Sequence, residues 1–195
     1  MDLVTERINQ QLDFLIEADK LKSVTRGTTL HDRSRHENSA EHSWHIMLYA
    51  LTMAEHANRP VNIDRVLKML LLHDLVEIDA GDAPIHGDHD PVEMEKAEIA
   101  AADRLFDILP TDQGRAYRAL WEEFEAAETD DAIFAKSIDR VQPVISNLEA
   151  GGASWITYGV THDQLEARVA SKVKRGAPAL WEALKARIDA WFTTR

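Results

Sequence analysis

Residues 68–82 read KMLLLHDLVEIDAGD, an apolar, helix-like run with His73 and Asp74 set side by side in it. Burying an imidazole and a carboxylate among leucines costs several kcal/mol unless the two are paired or share a cation. His-Asp recurs at His31-Asp32, His89-Asp90 and His162-Asp163, each time in polar surroundings where a solvated pair needs no explanation. The 73–74 pair is the one that asks for partners on neighbouring segments.

Outward from this run, apolar residues recur at helical spacing. Leu3, Ile8, Leu12, Leu15 and Ile16 mark a first helix, and residues 39–58 a second, with Ser39 as N-cap. Asn62 caps a third that runs through Val66, Met69, Leu70 and His73 towards Glu77. Pro91 opens a helix reaching Leu109, and Pro110 stops it. Residues 112–128 and 131–149 predict two more, the latter ended by Gly151-Gly152, and a last pair flanks Gly176. No alternating β-branched run predicts a sheet, so the expected fold class is all-α, a bundle of roughly seven or eight helices. Two polar segments read as loops. One is 22–37, rich in arginine and histidine; the other is 81–90, GDAPIHGDHD, whose His86 and His89 read as solvated, with a second metal as the alternative.

The chain has 195 residues, which fits a single domain over 1–195. Lys and Arg number 22 against 34 Asp and Glu, a formal charge of −12. That balance excludes a broad nucleic-acid or anionic-membrane surface but leaves room for a small nucleotide held by local arginines such as Arg26, Arg33 and Arg35. With no cysteine, disulfide scaffolds, thiolate zinc sites and cysteine nucleophiles are excluded. The first twenty residues lack the apolar core of a signal peptide, and the longest apolar runs fall far short of a membrane span. A cytoplasmic protein without membrane partners is the expectation.

His42 and His45, three apart, share a helix face, and Asp139 is a single carboxylate within the largely apolar AIFAKSIDRVQPVI. Two imidazoles and two carboxylates from three helices suit one divalent first-row metal with positions left open, and the absence of sulfur disfavours a closed structural zinc site. Glu77, four residues after His73, projects from the same helix face, where it could orient or deprotonate a water. Each of these residues alone reads as a hydrogen-bonded core residue; it is their combination that points to a metal.

The order H…HD…D, together with ENSAEHSWH at 37–45, LLLHDLVEIDAGD at 70–82 and FAKSIDRVQP at 134–143, resembles the HD-domain metal-dependent phosphohydrolases. Within them it is most similar to the 5′-deoxynucleotidase group of the YfbR and HD-domain-containing protein 2 type, over residues 8–150, with 151–195 as C-terminal helices packing on that core. The resemblance implies an HD-domain helical bundle and one divalent transition metal (Mn, Co, Fe, Ni or Zn, with Mg less suited). It further implies hydrolysis of nucleoside or deoxynucleoside 5′-monophosphates, and a homodimer. It makes His42, His73, Asp74 and Asp139 the metal ligands and Glu77 the residue that positions the attacking water. Asp82 would contact the sugar, within a nucleotide-binding stretch Asp82, Ala83, Pro84 and Ile85. The group carries a tryptophan soon after its arginine; Arg26 matches the arginine, and Thr28 or Thr29 stands in the tryptophan's place, which leaves phosphate binding to Arg26, Arg33 or Arg35 and puts selection of the deoxy sugar in question. Hydrolysis of another phosphoester, a non-catalytic nucleotide-binding regulator and a metal-free helical interaction module are the alternatives.

Overall fold

The computed structural model describes residues 2–194 and is built almost wholly of helices. Seven α-helices of ten residues or more lie among the described residues: α1 (Leu3–Ala18), α2 (Ser39–Met53), α3 (Ile63–Leu72), α5 (Pro91–Phe106), α6 (Thr111–Ala126), α7 (Asp130–Glu149) and α11 (Pro178–Thr193). Shorter α-helices lie between them: α4 (Glu77–Ala80), α8 (Ala153–Thr157), α9 (His162–Leu165) and α10 (Ser171–Gly176), with a π turn, Glu166–Ala170, joining the last two. The all-α expectation holds but for one small antiparallel pair, β1 (Thr25–Thr29) and β2 (His36–Asn38), in the segment read as a loop. Such a short hairpin carries too few residues for an alternating pattern to register.

Caps explain most of the boundaries. Asn38, not Ser39, caps α2: its side chain accepts from Glu41 N–H, and Glu41 reaches back to the Asn38 N–H in a full capping box. Asn62 caps α3 as expected. The helix through His73 does not continue to Glu77, however. The His73 ring bonds to the Leu70 carbonyl oxygen at 2.8 Å, occupying the acceptor an uninterrupted helix would offer residue 74. The chain tightens into a 3-10 turn, His73–Val76, before α4 begins at Glu77. Gly81, at φ 77°, then turns the chain out of α4 in a conformation that side chains with a Cβ rarely adopt.

The core has α7 at its centre. Phe134, Ala135 and Ile138 pack against Ile46 and Ala50 of α2, Met69 and Leu70 of α3, and Phe124 of α6. Each fully buried residue of that size stabilises by roughly 1.5–3 kcal/mol. The other side of α7, Val141 and Val144, packs on Trp155, Val169, Val173, Trp181 and Ile188 from the C-terminal helices. In α1 the apolar residues that mark the helix mostly stay outside: Leu12, Leu15 and Ile16 are exposed and Phe14 is the one buried.

Where α10 crosses α7 the backbones meet closely. A Cβ on Gly176 would overlap Ser137 Oγ and the Ile133 carbonyl. Gly176→Ala is expected to cost about 1–3 kcal/mol, the range for overpacking a tight contact, read as a lower midpoint in urea unfolding with an unchanged slope.

Candidate metal centre and its pocket

Asp139 sits midway along α7 because that face of the helix meets both the N-terminal turn of α2 and the end of α3. His42 enters from α2 and His73 from the 3-10 turn, and one ligand atom from each of His42, His73 and Asp139 lies within 4.8 Å of the others, all buried. His42 Nε2 is 3.1 Å and His73 Nε2 3.8 Å from Asp139 Oδ1. Asp74 stands against the group with Oδ1 2.7 Å from His73 Nε2.

This donor set fits a divalent cation. The Leu70 carbonyl can only accept, so His73 Nδ1 carries the proton and Nε2 presents its lone pair. That nitrogen is buried without a hydrogen-bond partner and faces carboxylate oxygens. Acceptors so close together need a positive charge between them, a proton or a metal. A proton leaves its mark on His73: burial lowers the imidazole's pKa, but Asp74, Asp139 and Glu77 more than reverse that and raise it. Burial also penalises the Asp74 carboxylate, yet His73 and Arg26 hold its pKa at about 2. Asp139 lies well below the usual range, since Arg140, His42 and His73 outweigh its burial.

Arg26, on β1, reaches into this acidic cluster. Its Nη1 is 3.0 Å from Asp74 Oδ2 and 3.6 Å from both Glu77 Oε1 and Asp82 Oδ1. Burial works against its charge, but the surrounding carboxylates raise its pKa further still. Glu77 accepts from Ser39 Oγ–H at 2.5 Å, and burial followed by repulsion from Asp74 pushes its carboxyl up to about 8. Asp82 is likewise raised, chiefly by burial, and accepts the Gly27 N–H at 3.1 Å.

A pocket of about 180 Å³ opens on the cluster and is lined by Arg26, His73, Asp74, Glu77, Asp139 and the stretch Asp82 to His86. The structure thus gathers His42, His73, Asp74, Asp139, Glu77, Arg26, Asp82, Ala83, Pro84 and Ile85 around one place. Arg33 and Arg35 are not among them. The Arg33 guanidinium packs over Gly151, and Arg35 pairs with Glu41 at the surface. Arg33 thus lies against the end of α7 and Arg35 pairs with the start of α2, placements no local pattern reveals. His45 points away from the cluster and stacks beside Trp44. His86 is not simply solvated: it is half-buried in the pocket wall, and burial, with Arg168 and Arg140, lowers it to about 4.

Lys136, Arg140, Trp155 and Tyr158 also line the pocket and escaped sequence reasoning. Lys136 was within reach, since it precedes Asp139 by one helical turn. Trp155 and Tyr158 carried no such signal, because only the packing of the C-terminal helices brings them in. Thr28, buried and donating to Glu37, lines the pocket beside Arg26 together with Gly27. A Cβ there would meet Pro84 Cγ at 3.2 Å and Tyr158 Oη at 3.3 Å, which together fill the space a side chain would need.

The helical fold and the buried His/Asp cluster define a protein with an HD-type metal centre. The HD domain family model matches residues 18–181, and the chain belongs to that family. It is similar to the 5′-deoxynucleotidase HDDC2 of Bos taurus, 29% identical over 140 residues, 71% of this chain and 66% of that protein. The chain therefore spans just under two thirds of that relative's length. The 5′-deoxynucleotidase plu3092 of Photorhabdus laumondii is 26% identical over 167 residues, covering 82% of this chain and 84% of the other. A crystal structure of a predicted metal-dependent phosphohydrolase from Magnetospirillum magnetotacticum MS-1 superposes with a TM-score of 0.89 at 45% identity, covering 95% of each chain. No described helix is long and apolar enough to cross a membrane.

A cation held by these groups stabilises the fold by mass action. Mn²⁺ at a hundred times its Kd is expected to add about 2.7 kcal/mol, and Asp139→Asn to lose most of that gain; thermal unfolding with and without Mn²⁺ reads both.

Proposed function

We propose that the protein is a metal-dependent phosphomonoesterase that hydrolyses nucleoside 5′-monophosphates, deoxynucleotides among them, to nucleoside and phosphate. The observation that carries this reading is the position of the His42–His73–Asp139 group at the base of a pocket that also holds Glu77, Arg26 and Asp82. The chain is read as one HD domain from end to end, in a cytoplasmic protein.

His42, His73, Asp74 and Asp139 would hold one divalent transition metal, and nitrogen and oxygen donors of this kind accept Mn, Co, Fe, Ni or Zn. When bound, such an ion polarises a phosphoryl oxygen and acidifies water. Glu77 is the proton carrier: burial and its carboxylate neighbours bring its pKa near the working pH, and Ser39 fixes its orientation. Arg26 serves the substrate's phosphate from the same wall, keeping its charge in spite of burial. Asp82, whose backbone continues into Ala83, Pro84 and Ile85, borders the space for the sugar, with Tyr158 opposite. The names carried by the relatives from Bos taurus and Photorhabdus laumondii support this choice of substrate.

The test is phosphate release from deoxy- and ribonucleoside 5′-monophosphates with Mn²⁺, Co²⁺ or Mg²⁺. Release is expected to require the metal, to vanish in Asp74→Ala and to fall by about 10²–10⁴ in Glu77→Gln with metal retained. The deoxy-to-ribo ratio reads the sugar choice. Absence of release from every nucleotide by folded, metal-loaded protein would sink this reading in favour of another phosphoester or a binding role.

A homodimer is part of the proposal. Exposed Trp44, Leu48 and Leu51 on α2 and Leu12, Leu15 and Ile16 on α1 leave apolar surface for a second copy. Light scattering is expected to give twice the chain mass.

A further inference from the structure

His42 works as a metal ligand only if its Nε2 is free of a proton, and the structure controls this from the opposite side of the ring. His42 Nδ1 lies 3.0 Å from Gln142 Oε1, with Glu37 Oε2 next nearest at 3.7 Å. Both are acceptors, so both favour a proton on Nδ1. An amide, however, can present either end. If Gln142 turned its NH₂ towards the ring, the proton would move to Nε2, on the side facing Asp139.

The Glu37 carboxylate, which can only accept, opposes that turn. Gln142 Nε2 is 2.9 Å from Glu37 Oε1, 3.1 Å from Ser146 Oγ and 3.4 Å from His45 Nδ1. Turning the amide would press its carbonyl oxygen against the Glu37 carboxylate and leave that carboxylate oxygen without its donor, in a region where Glu37 and Gln142 are both almost wholly buried. Thr28 Oγ1 donates to Glu37 Oε2 at 3.1 Å and holds that carboxylate in place. Neither Glu37 nor Gln142 belongs to the ligand group, and both line a separate cavity with His31, Trp44 and His45, with Glu37 Oε2 also 3.9 Å from Arg26 Nε.

We propose that Glu37 and Gln142 are positioning residues for the metal centre, a relay that locks His42 in the tautomer with Nδ1 protonated and Nε2 open to a cation. The inference rests on the metal-site reading above and adds to it two residues that need touch neither metal nor substrate. Glu37 acts at one remove, through the orientation it imposes on Gln142. Partners of this kind, bonded to the far nitrogen of a ligating histidine, typically change metal affinity by roughly 10- to 100-fold when removed.

Two variants of the full chain test the relay, each read in two ways. Glu37→Gln keeps the shape of the side chain but replaces the carboxylate that orients Gln142, while Gln142→Leu removes the acceptor at Nδ1. In protein freed of metal by chelation and labelled with ¹⁵N-histidine, Gln142 Oε1 at Nδ1 competes for the ring proton with Asp139 Oδ1, 3.1 Å from Nε2, and long-range ¹H–¹⁵N correlation is expected to show the Nδ1-protonated form populated. In Glu37→Gln the Nε2-protonated share should rise. Mn²⁺ titration followed by EPR is expected to show affinity roughly 10- to 100-fold weaker in both variants. If Gln142→Leu fails to fold, Glu37→Gln, isosteric with the native residue, decides alone. An unchanged His42 tautomer together with Mn²⁺ affinity within twofold of wild type would overturn the relay. Wild-type protein that takes up no Mn²⁺ would overturn the metal site instead, with the tautomer comparison still judging the relay.

Discussion

The site depends on one guanidinium placed among carboxylates. Arg26 faces Asp74, Glu77 and Asp82 at 3.0–3.6 Å, with Asp139 close enough to add to the same field. Isolated, each of these acids would neutralise itself by taking a proton or would cost several kcal/mol to bury. One cation cannot balance them all. Asp74 and Asp139 remain ionised because they also have imidazole and arginine neighbours, whereas Glu77 and Asp82 are pushed upwards. The cluster thus retains an unmet demand for positive charge where His73 points its lone pair, a setting that suits a divalent ion.

Two mechanical features hold that arrangement. The first is the break after Leu72. Had α3 continued unbroken through Glu77, the His73 ring would not hold the Leu70 carbonyl in this way, and neither its tautomer nor its aim would follow. The second is α7, which carries Asp139 and Gln142 one turn apart and is packed on both sides by apolar residues. A helix so enclosed has little freedom to rotate, so Asp139 and Gln142 move together or not at all. The C-terminal helices pack on this same element and bring Trp155 and Tyr158 into the pocket wall.

Local chemistry made much of this readable. The apolar setting of His73-Asp74, the lone carboxylate of Asp139 and the nearby His42 are anomalies of burial, and anomalies of burial show in a one-dimensional pattern once helical periodicity is assumed. The fold class was legible for the same reason, since capping residues and prolines set most boundaries to within a few residues. The departures have particular causes. The cap of α2 belongs to Asn38 because its side chain forms the capping box with Glu41, and the hairpin at β1 and β2 is too short to declare itself.

Arginines were harder to read, because a guanidinium is long, flexible and indifferent to sequence neighbours. Arg26, Arg33 and Arg35 look alike in the chain, yet the first lies in the pocket, the second packs at Gly151 and the third pairs with Glu41; what comes within reach is decided by tertiary contacts alone. The same holds for Tyr158 over Gly27 and for Gln142 behind His42, where residues distant in the chain meet across packed helices. By itself, then, the sequence determined the helical architecture and the histidine and aspartate residues of the buried cluster, because both follow from short-range periodicity and the cost of burying charge. Tertiary structure alone decided which cations face the pocket, what fills the space beside Gly27 and how the His42 ring is held, because each depends on distances between elements that no local pattern encodes.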